Sequence, residues 1–141
     1  MSSEILITHE SRIPTIGADV HHVIKNNSNG YKGFQEAYFS HIKFNCIKGW
    51  KRHNQMTLNL SVAYGKVKFV FYDNRESEGE FNELILSSEE NLRVTIPPKI
   101  WVAFCGLHEE FSVLLNIADI QHDPDEIDRK DLSFFNYNWS L

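Results

Sequence analysis

A succession of short apolar runs, each bounded by Gly, Pro, Asn or charge, leaves this chain little choice but an all-β fold. Residues 37–47 carry Tyr38, Phe39, Ile42, Phe44 and Cys46, with a period of two from His41 onward. Residues 58–62 alternate, 67–72 form a continuous apolar run after Lys66, and Gly65 divides the two. Further runs fall at 84–86, 92–96, 101–105 and 111–117. Alternation places one face of a strand on a core, and no stretch between these runs has the three-to-four spacing of an amphipathic helix. Pro97 and Pro98 mark a turn, because neither can donate to a ladder. Residues 121–129 read as a polar turn leading to a short helix or loop that carries Asp131. Phe134, Phe135, Tyr137 and Trp139 are expected to pack the end of the chain. Strands this short and evenly spaced predict an antiparallel sandwich or barrel.

Composition narrows the function classes. The 141 residues amount to one domain, 1–141, with 42% hydrophobic and 13% aromatic content, enough for a packed core. A net charge of -5 provides no electrostatic footprint for nucleic acid or for an anionic membrane. An anionic ligand would therefore need a local cluster of Lys and Arg. Cys46 and Cys105 sit in apolar runs and read as buried small hydrophobes in a reducing compartment. The start, Met1-Ser2-Ser3-Glu4, has no signal-peptide character, and no apolar run approaches the ~18 residues of a membrane helix. The expectation is a cytoplasmic protein.

The segment 49–55 carries the chemistry. Reading Gly49, Trp50, Lys51, Arg52, His53, Asn54, Gln55, it sets one histidine between two cations and an amide, after the strand-like run 42–47. An imidazole on a sheet beside fixed positive charge suits abstraction of a proton next to a sugar ketone. The imidazole takes the proton, and the cations favour the developing enolate. There is no Gly-rich phosphate loop, no Gly-x-Ser-x-Gly elbow and no cysteine in a polar context, so the other common chemistries lack their residues.

Several segments in order carry a family resemblance. Tyr72-Asp73-Asn74-Arg75-Glu76-Ser77, then Phe81, then Leu86-Ser87-Ser88-Glu89-Glu90-Asn91 resembles a pattern of dTDP-4-dehydrorhamnose 3,5-epimerases. Val94-Thr95-Ile96-Pro97 resembles the family's next strand. Gly33-Phe34-Gln35-Glu36-Ala37-Tyr38 resembles its Gly-Phe-Phe-x-Glu segment, and Ile127 to Asp131 with Trp139 resembles its closing motif. The resemblance implies a cupin-like antiparallel jelly roll with a short helical or irregular C-terminal segment, usually a homodimer, acting on a nucleotide-linked 4-keto-6-deoxy sugar in surface-polysaccharide or deoxysugar biosynthesis, with no cofactor. It places the catalytic base on His53, the aspartate that orients the base on Asp131, and a substrate-contacting glutamate on Glu36. Trp50, Lys51, Arg52 and Gln55 become substrate-binding candidates.

Departures from the family pattern lie on the acid side. The family's second histidine falls on Val102, or at best Ala103. Its lysine falls near Thr57 or Leu58, its arginine on Trp50, and its tyrosine acid on His122. Double epimerisation is therefore not expected. Single epimerisation, a 3,4-keto-isomerisation or a changed substrate fits better, with Tyr64, Tyr72 or water as the acid should His122 not serve; a non-catalytic sugar-binding cupin is the alternative. Metal-binding cupins present His-x-His, a nearby Glu and a later His. Here the pair is His53-Asn54-Gln55 and the later position is Val102. His21 and His22 are adjacent on an extended stretch and point apart, so no metal is expected.

Overall fold

A computed structural model describes residues 5–76 and 78–140. Ser77 and the stretch Met1–Glu4, both used above, lie outside the described residues. The strands are β1 (Leu6–His9), β2 (Arg12–Ile13), β3 (Val20–His21), β4 (Glu36–Lys43), β5 (Ile47–His53), β6 (Leu58–Tyr64), β7 (Lys66–Asp73), β8 (Glu80–Ser87), β9 (Leu92–Ile96), β10 (Trp101–Gly106), β11 (Phe111–Ala118) and β12 (Ile127–Arg129). A 3-10 turn, Pro124–Glu126, precedes β12. Two antiparallel five-stranded sheets face each other, ordered β1-β9-β6-β11-β4 and β12-β5-β10-β7-β8, with β2 and β3 pairing apart. This is the expected jelly-roll architecture.

Period-two burial builds the interior. Leu58, Leu60 and Val62 of β6, Val94 and Ile96 of β9, and Leu114 of β11 meet Val67, Phe69 and Phe71 of β7 and Leu86 of β8. The opposite face of the second sheet is also apolar. There Trp50, Val70, Trp101 and Ala103 are covered by Phe135, Tyr137 and Trp139 of the C-terminal tail. The tail thus makes a third layer, and Trp50 sits at its centre, 1% exposed, edge-on to Phe135 at 5.3 Å. Its indole N–H donates to the Leu132 carbonyl at 3.2 Å. Of the expected tail anchors, Phe134 is the exception and stays 58% exposed.

Three readings of the chain need correction. The run 37–47 is two strands, because Asn45 takes the left-handed conformation (φ 60°) and turns the chain between β4 and β5. Asn tolerates that region, and an alternating pattern cannot register a turn placed inside it. Cys46 consequently lies exposed in the turn, while Cys105 is buried on β10 as expected. The segment 49–53, read as following a strand, is itself strand β5. Its Gly and its charges had masked the pattern.

A buried cation ties the N-terminal loops to the first sheet. Arg93 is fully buried and donates to Glu10 (2.7 Å from Nη2), Asn59, Thr95, and the carbonyls of Val23 and Asn29. Removing one partner of a buried, fully bonded ion pair strands the other, at about 3–5 kcal/mol. Arg93→Met is therefore expected to lower the urea unfolding free energy by roughly that amount. Lys66→Met, at an exposed position, should change it by about 0.5 kcal/mol at most.

Candidate active site

Toward the β4 and β12 edges the sheets leave a cavity of about 790 Å³ between them. Its first-sheet wall is Leu58, Leu60, Asn116, Ser40 and Tyr38. The second-sheet wall presents Val102, Phe104, Lys48, Lys51 and His53, and the chain after β12 closes one side with Lys130, Asp131 and Phe134.

His53 ends β5 and is 8% exposed. Its ring Nδ1 is 2.5 Å from Oε2 of Glu126, itself 3% exposed. The other carboxylate oxygen of Glu126 accepts the backbone N–H groups of Gln55 (3.1 Å) and Met56 (2.9 Å). Local chain chemistry explains the placement. Asp123 caps the 3-10 turn by accepting from the Asp125 N–H, Pro124 starts it, and the turn brings Glu126 inward beside the end of β5. The two groups hold complementary charge states. Burial holds the His53 imidazole below its ordinary range, reinforced by the cations Lys51 and Arg129 and only partly offset by Glu126. Burial alone would raise Glu126, yet the hydrogen bonds from His53, Met56 and Gln55 bring its carboxyl below the usual value. An ionised carboxylate only accepts, so the neutral ring carries its proton on Nδ1 and donates it to Glu126. That leaves the Nε2 lone pair, buried and without a hydrogen-bond partner among the described residues, at the cavity. A neutral imidazole with a fixed tautomer and a free lone pair is a poised general base.

Across the cavity stands Tyr38. Along β4 the residues Glu36, Tyr38, Ser40 and Ile42 share one face, and Tyr38 pairs with Asn116 of β11, whose side-chain amide donates to Ser40 Oγ at 3.0 Å. Burial and the charge of Glu36 raise the Tyr38 hydroxyl above its ordinary value, so it is held protonated as a donor.

A bulge distributes the cations. Val102 pairs with Lys51 and Phe104 with Lys48, so β5 uses three residue steps where β10 uses two. The extra residue falls at Gly49-Trp50, where a Cβ on Gly49 would sit 2.4 Å from the Ala103 Cβ. Directly opposed residues share a face. Lys48 and Lys51, three apart and otherwise on opposite faces, thus both join the cavity side.

The sequence-derived candidates separate accordingly. His53 and Lys51 reach the cavity. Arg52 does not: it lies on the outer face, bonded through Nε (3.1 Å) and Nη2 (2.7 Å) to Asp128 and stacked 4.7 Å over Trp101. The Trp50 ring is locked into the tail cluster and cannot stack on a ligand. Gln55 is exposed and bonds Glu126 only through its backbone. Asp131 lines the cavity mouth but is exposed, and the carboxylate that orients His53 is Glu126 instead. His122 is exposed in the loop before the 3-10 turn, outside the cavity lining. Glu36 lies beside Tyr38 and acts on it by charge. Val102 occupies the wall where a second histidine was sought, while Ala103 is on the outer face; Leu58 is apolar wall. Glu126 and Tyr38 were missed. Glu126 is one acid among several in 123–128, and only burial distinguishes it. Tyr38 could have been found by extending the inward alternation of β4 from Ile42. The donor set does not suit a transition metal: the free nitrogen of His53 has cations for neighbours, and no group of three or more His, Cys, Asp or Glu converges among the described residues.

No protein-family model matches the sequence, and no curated sequence relative is detected. Solved structures do match. A dTDP sugar isomerase from Desulfovibrio desulfuricans G20 superposes with a TM-score of 0.90 at 29% identity, covering 97% of this chain and 91% of that one. A dTDP-4-dehydrorhamnose 3,5-epimerase from Elizabethkingia anophelis NUHP1 gives 0.80 at 18% identity, over 99% and 82%. A sugar 3,4-ketoisomerase from Thermoanaerobacterium thermosaccharolyticum, solved with TDP, gives 0.79 at 16% identity, over 92% and 90%. The resemblance read from the sequence and the fold therefore agree.

Two outcomes follow from the dyad. Glu126→Gln keeps an acceptor for the Gln55 and Met56 amides but offers His53 an N–H, turning the ring so that Nε2 bears the proton. Turnover of a 4-keto sugar should fall by about 10²–10⁴ with the fold intact by circular dichroism. The wild-type kcat/KM should rise with pH as His53 loses its proton and level off above it, its acid limb lying below the ordinary imidazole value of about 6.5. A limb at or above that value would contradict the buried neutral base.

Proposed function

We propose that this chain, a divergent relative of the dTDP-4-dehydrorhamnose 3,5-epimerases, is an epimerase or isomerase of a nucleotide-linked 4-keto-6-deoxy sugar. One observation supports it above the rest: a neutral imidazole, aligned by a buried carboxylate on one sheet, faces a protonated phenol on the other across a cavity of sugar size. His53 Nε2 takes the proton from the carbon beside the C4 ketone, and the C–H electron pair moves into the carbonyl to form an enolate. Glu126 stabilises the imidazolium. The half-buried ammonium of Lys51, on the same wall, stabilises the negative oxygen. Tyr38 returns a proton from the opposite wall, which inverts one centre, and solvent resets both groups. The same enolate becomes an enediol if its oxygen is protonated, and protonation at C4 with loss of the C3 hydroxyl proton to solvent then moves the ketone to C3. The single cavity imidazole suits one such transfer better than two inversions.

The biological frame extends the same reading. Residues 1–141 serve as one catalytic domain in the cytoplasm, within deoxysugar or surface-polysaccharide biosynthesis, needing no cofactor. No helix is long and apolar enough to cross a membrane among the described residues. A homodimer is supported by β1, a sheet-edge strand, and by the β2–β3 hairpin, whose Ile13 and Val20 are about half exposed and Ile16 fully so.

The deciding experiment is incubation with a dTDP-4-keto-6-deoxyhexose in D2O, followed by NMR. Deuterium at one inverted carbon is expected, or a ketone moved to C3 for the isomerase route. His53→Asn should abolish exchange. Tyr38→Phe should retain exchange at carbon while net inversion falls by about 10²-fold or more. Nucleotide-sugar binding with no exchange by the wild type would sink catalysis and leave a binding module.

A further inference from the structure

An asparagine interrupts the apolar inner face of the first sheet, and the proton-transfer chemistry does not use it. The inward positions around it are Leu114 and Ala118 on its own strand and Leu58 and Leu60 on β6. Asn116 stands among them, opposed by Leu60 on one side and by Tyr38 of β4 on the other. It is 6% exposed and lines the cavity. A buried amide is costly unless its polar atoms are bonded. Its Nδ2 is well supplied, donating to Ser40 Oγ at 3.0 Å and to the carbonyls of Tyr38 and Leu114, both at 3.3 Å. Carbonyl oxygens only accept, so Nδ2 is the atom that faces them and Oδ1 is turned away from them. No hydrogen bond reaches that Oδ1 among the described residues. Ser40 follows Tyr38 by two residues and shares its face of β4. Its Oγ accepts from Asn116, and its own O–H has no acceptor among the described residues. The wall beside Tyr38 thus carries one free acceptor and one free donor.

We propose that Asn116 Oδ1 and the Ser40 hydroxyl clamp one secondary ring hydroxyl of the sugar and so decide which ring carbon lies between His53 and Tyr38. This rests on the nucleotide-sugar reading and adds the group by which the sugar is recognised. A hydroxyl donates and accepts at once, which matches an amide oxygen and a serine O–H on adjacent strands. A 4-keto-6-deoxyhexose linked through C1 carries hydroxyls only at C2 and C3, so the clamped group is one of these two. The other first-sheet wall residues near the pair, Leu58 and Leu60, are apolar, as is Phe104 on the facing sheet. They fill space and cannot tell a hydroxyl from a hydrogen. The clamp can, because a deoxy analogue leaves a buried acceptor and donor unbonded. Orientation matters here, since a 4-ketone has carbons on both sides and turning the ring changes which C–H meets Nε2 of His53. Asn116 and Ser40 are positioning residues: they take no proton from carbon and return none.

The test is calorimetry on the whole protein with dTDP-6-deoxyglucose, which lacks the ketone and does not react, its 2-deoxy and 3-deoxy analogues, and dTDP alone. In the wild type one of the two analogues should bind about ten- to a hundredfold more weakly than the parent sugar. Asn116→Leu and Ser40→Ala should each shrink that ratio to about threefold or less and leave dTDP binding unchanged, because a double-mutant cycle isolates the contact between residue and hydroxyl. Ser40→Thr, which keeps the O–H, should restore most of the ratio. Lys43→Met, an exposed position on the other face of β4, should leave it as in the wild type. A purely structural Asn116 would weaken every sugar by one factor and preserve the ratio. Should Asn116→Leu not fold, Ser40→Ala and Ser40→Thr carry the same comparison. Two analogues that bind as well as the parent, or a ratio that survives in the folded variants, overturn the clamp even if the protein exchanges protons on 4-keto sugars. A ratio that collapses as expected in a protein exchanging no sugar proton upholds the clamp and rejects the catalytic reading, and a wild type that binds none of the sugars overturns both.

Discussion

The hydrogen bond between His53 and Glu126 is the contact on which the proposed chemistry and the end of β5 both depend. It joins the end of β5 to the turn that precedes β12, and each partner would be costly to bury alone. The bond fixes a neutral ring, an ionised carboxylate and a single tautomer together. Glu126 also bonds the Gln55 and Met56 amides, so the same carboxylate sets the path by which the chain leaves β5 for β6. Alignment of the proposed base and the local fold therefore share one group.

Around that contact the second sheet works on both faces. Inward it carries Lys48, Lys51 and His53; outward it carries Trp50 and Arg52. Trp50 anchors the tail through its indole N–H and through paired backbone bonds with Lys130, both 3.0 Å. Arg52 ties β5 to β12 through Asp128 and lies over Trp101. The outer face therefore holds in place the strand and tail whose other sides form the cavity. Phe135, Tyr137 and Trp139 thereby support the cavity wall from its outer side.

Much of the fold was legible in the chain. Strands β6, β7, β9, β10 and β11 lie where alternation and turn residues put them, because burial on one or both faces imposes a pattern that sequence must display. Strands β4 and β5 were blurred, since Asn45 turns the chain within a run that still alternates, and since a bulge at Gly49 breaks the period that would reveal a strand. Of the site, His53 and Lys51 were readable from chemistry and local context. Arg52 and Trp50 were assigned to the ligand because adjacency in sequence says nothing of face once a bulge intervenes.

What the sequence determined by itself was the all-β architecture, most of the buried strands, and a histidine flanked by two cations as the candidate base. What only the tertiary structure decided was the company that histidine keeps. Glu126 and not Asp131 is its partner, Tyr38 and not His122 faces it, and four cations converge beside it. The physical reason is that periodicity encodes which face of a strand is buried. It does not encode which acid a distant turn will carry inward, or which strands the sheet order will bring to opposite walls of one cavity.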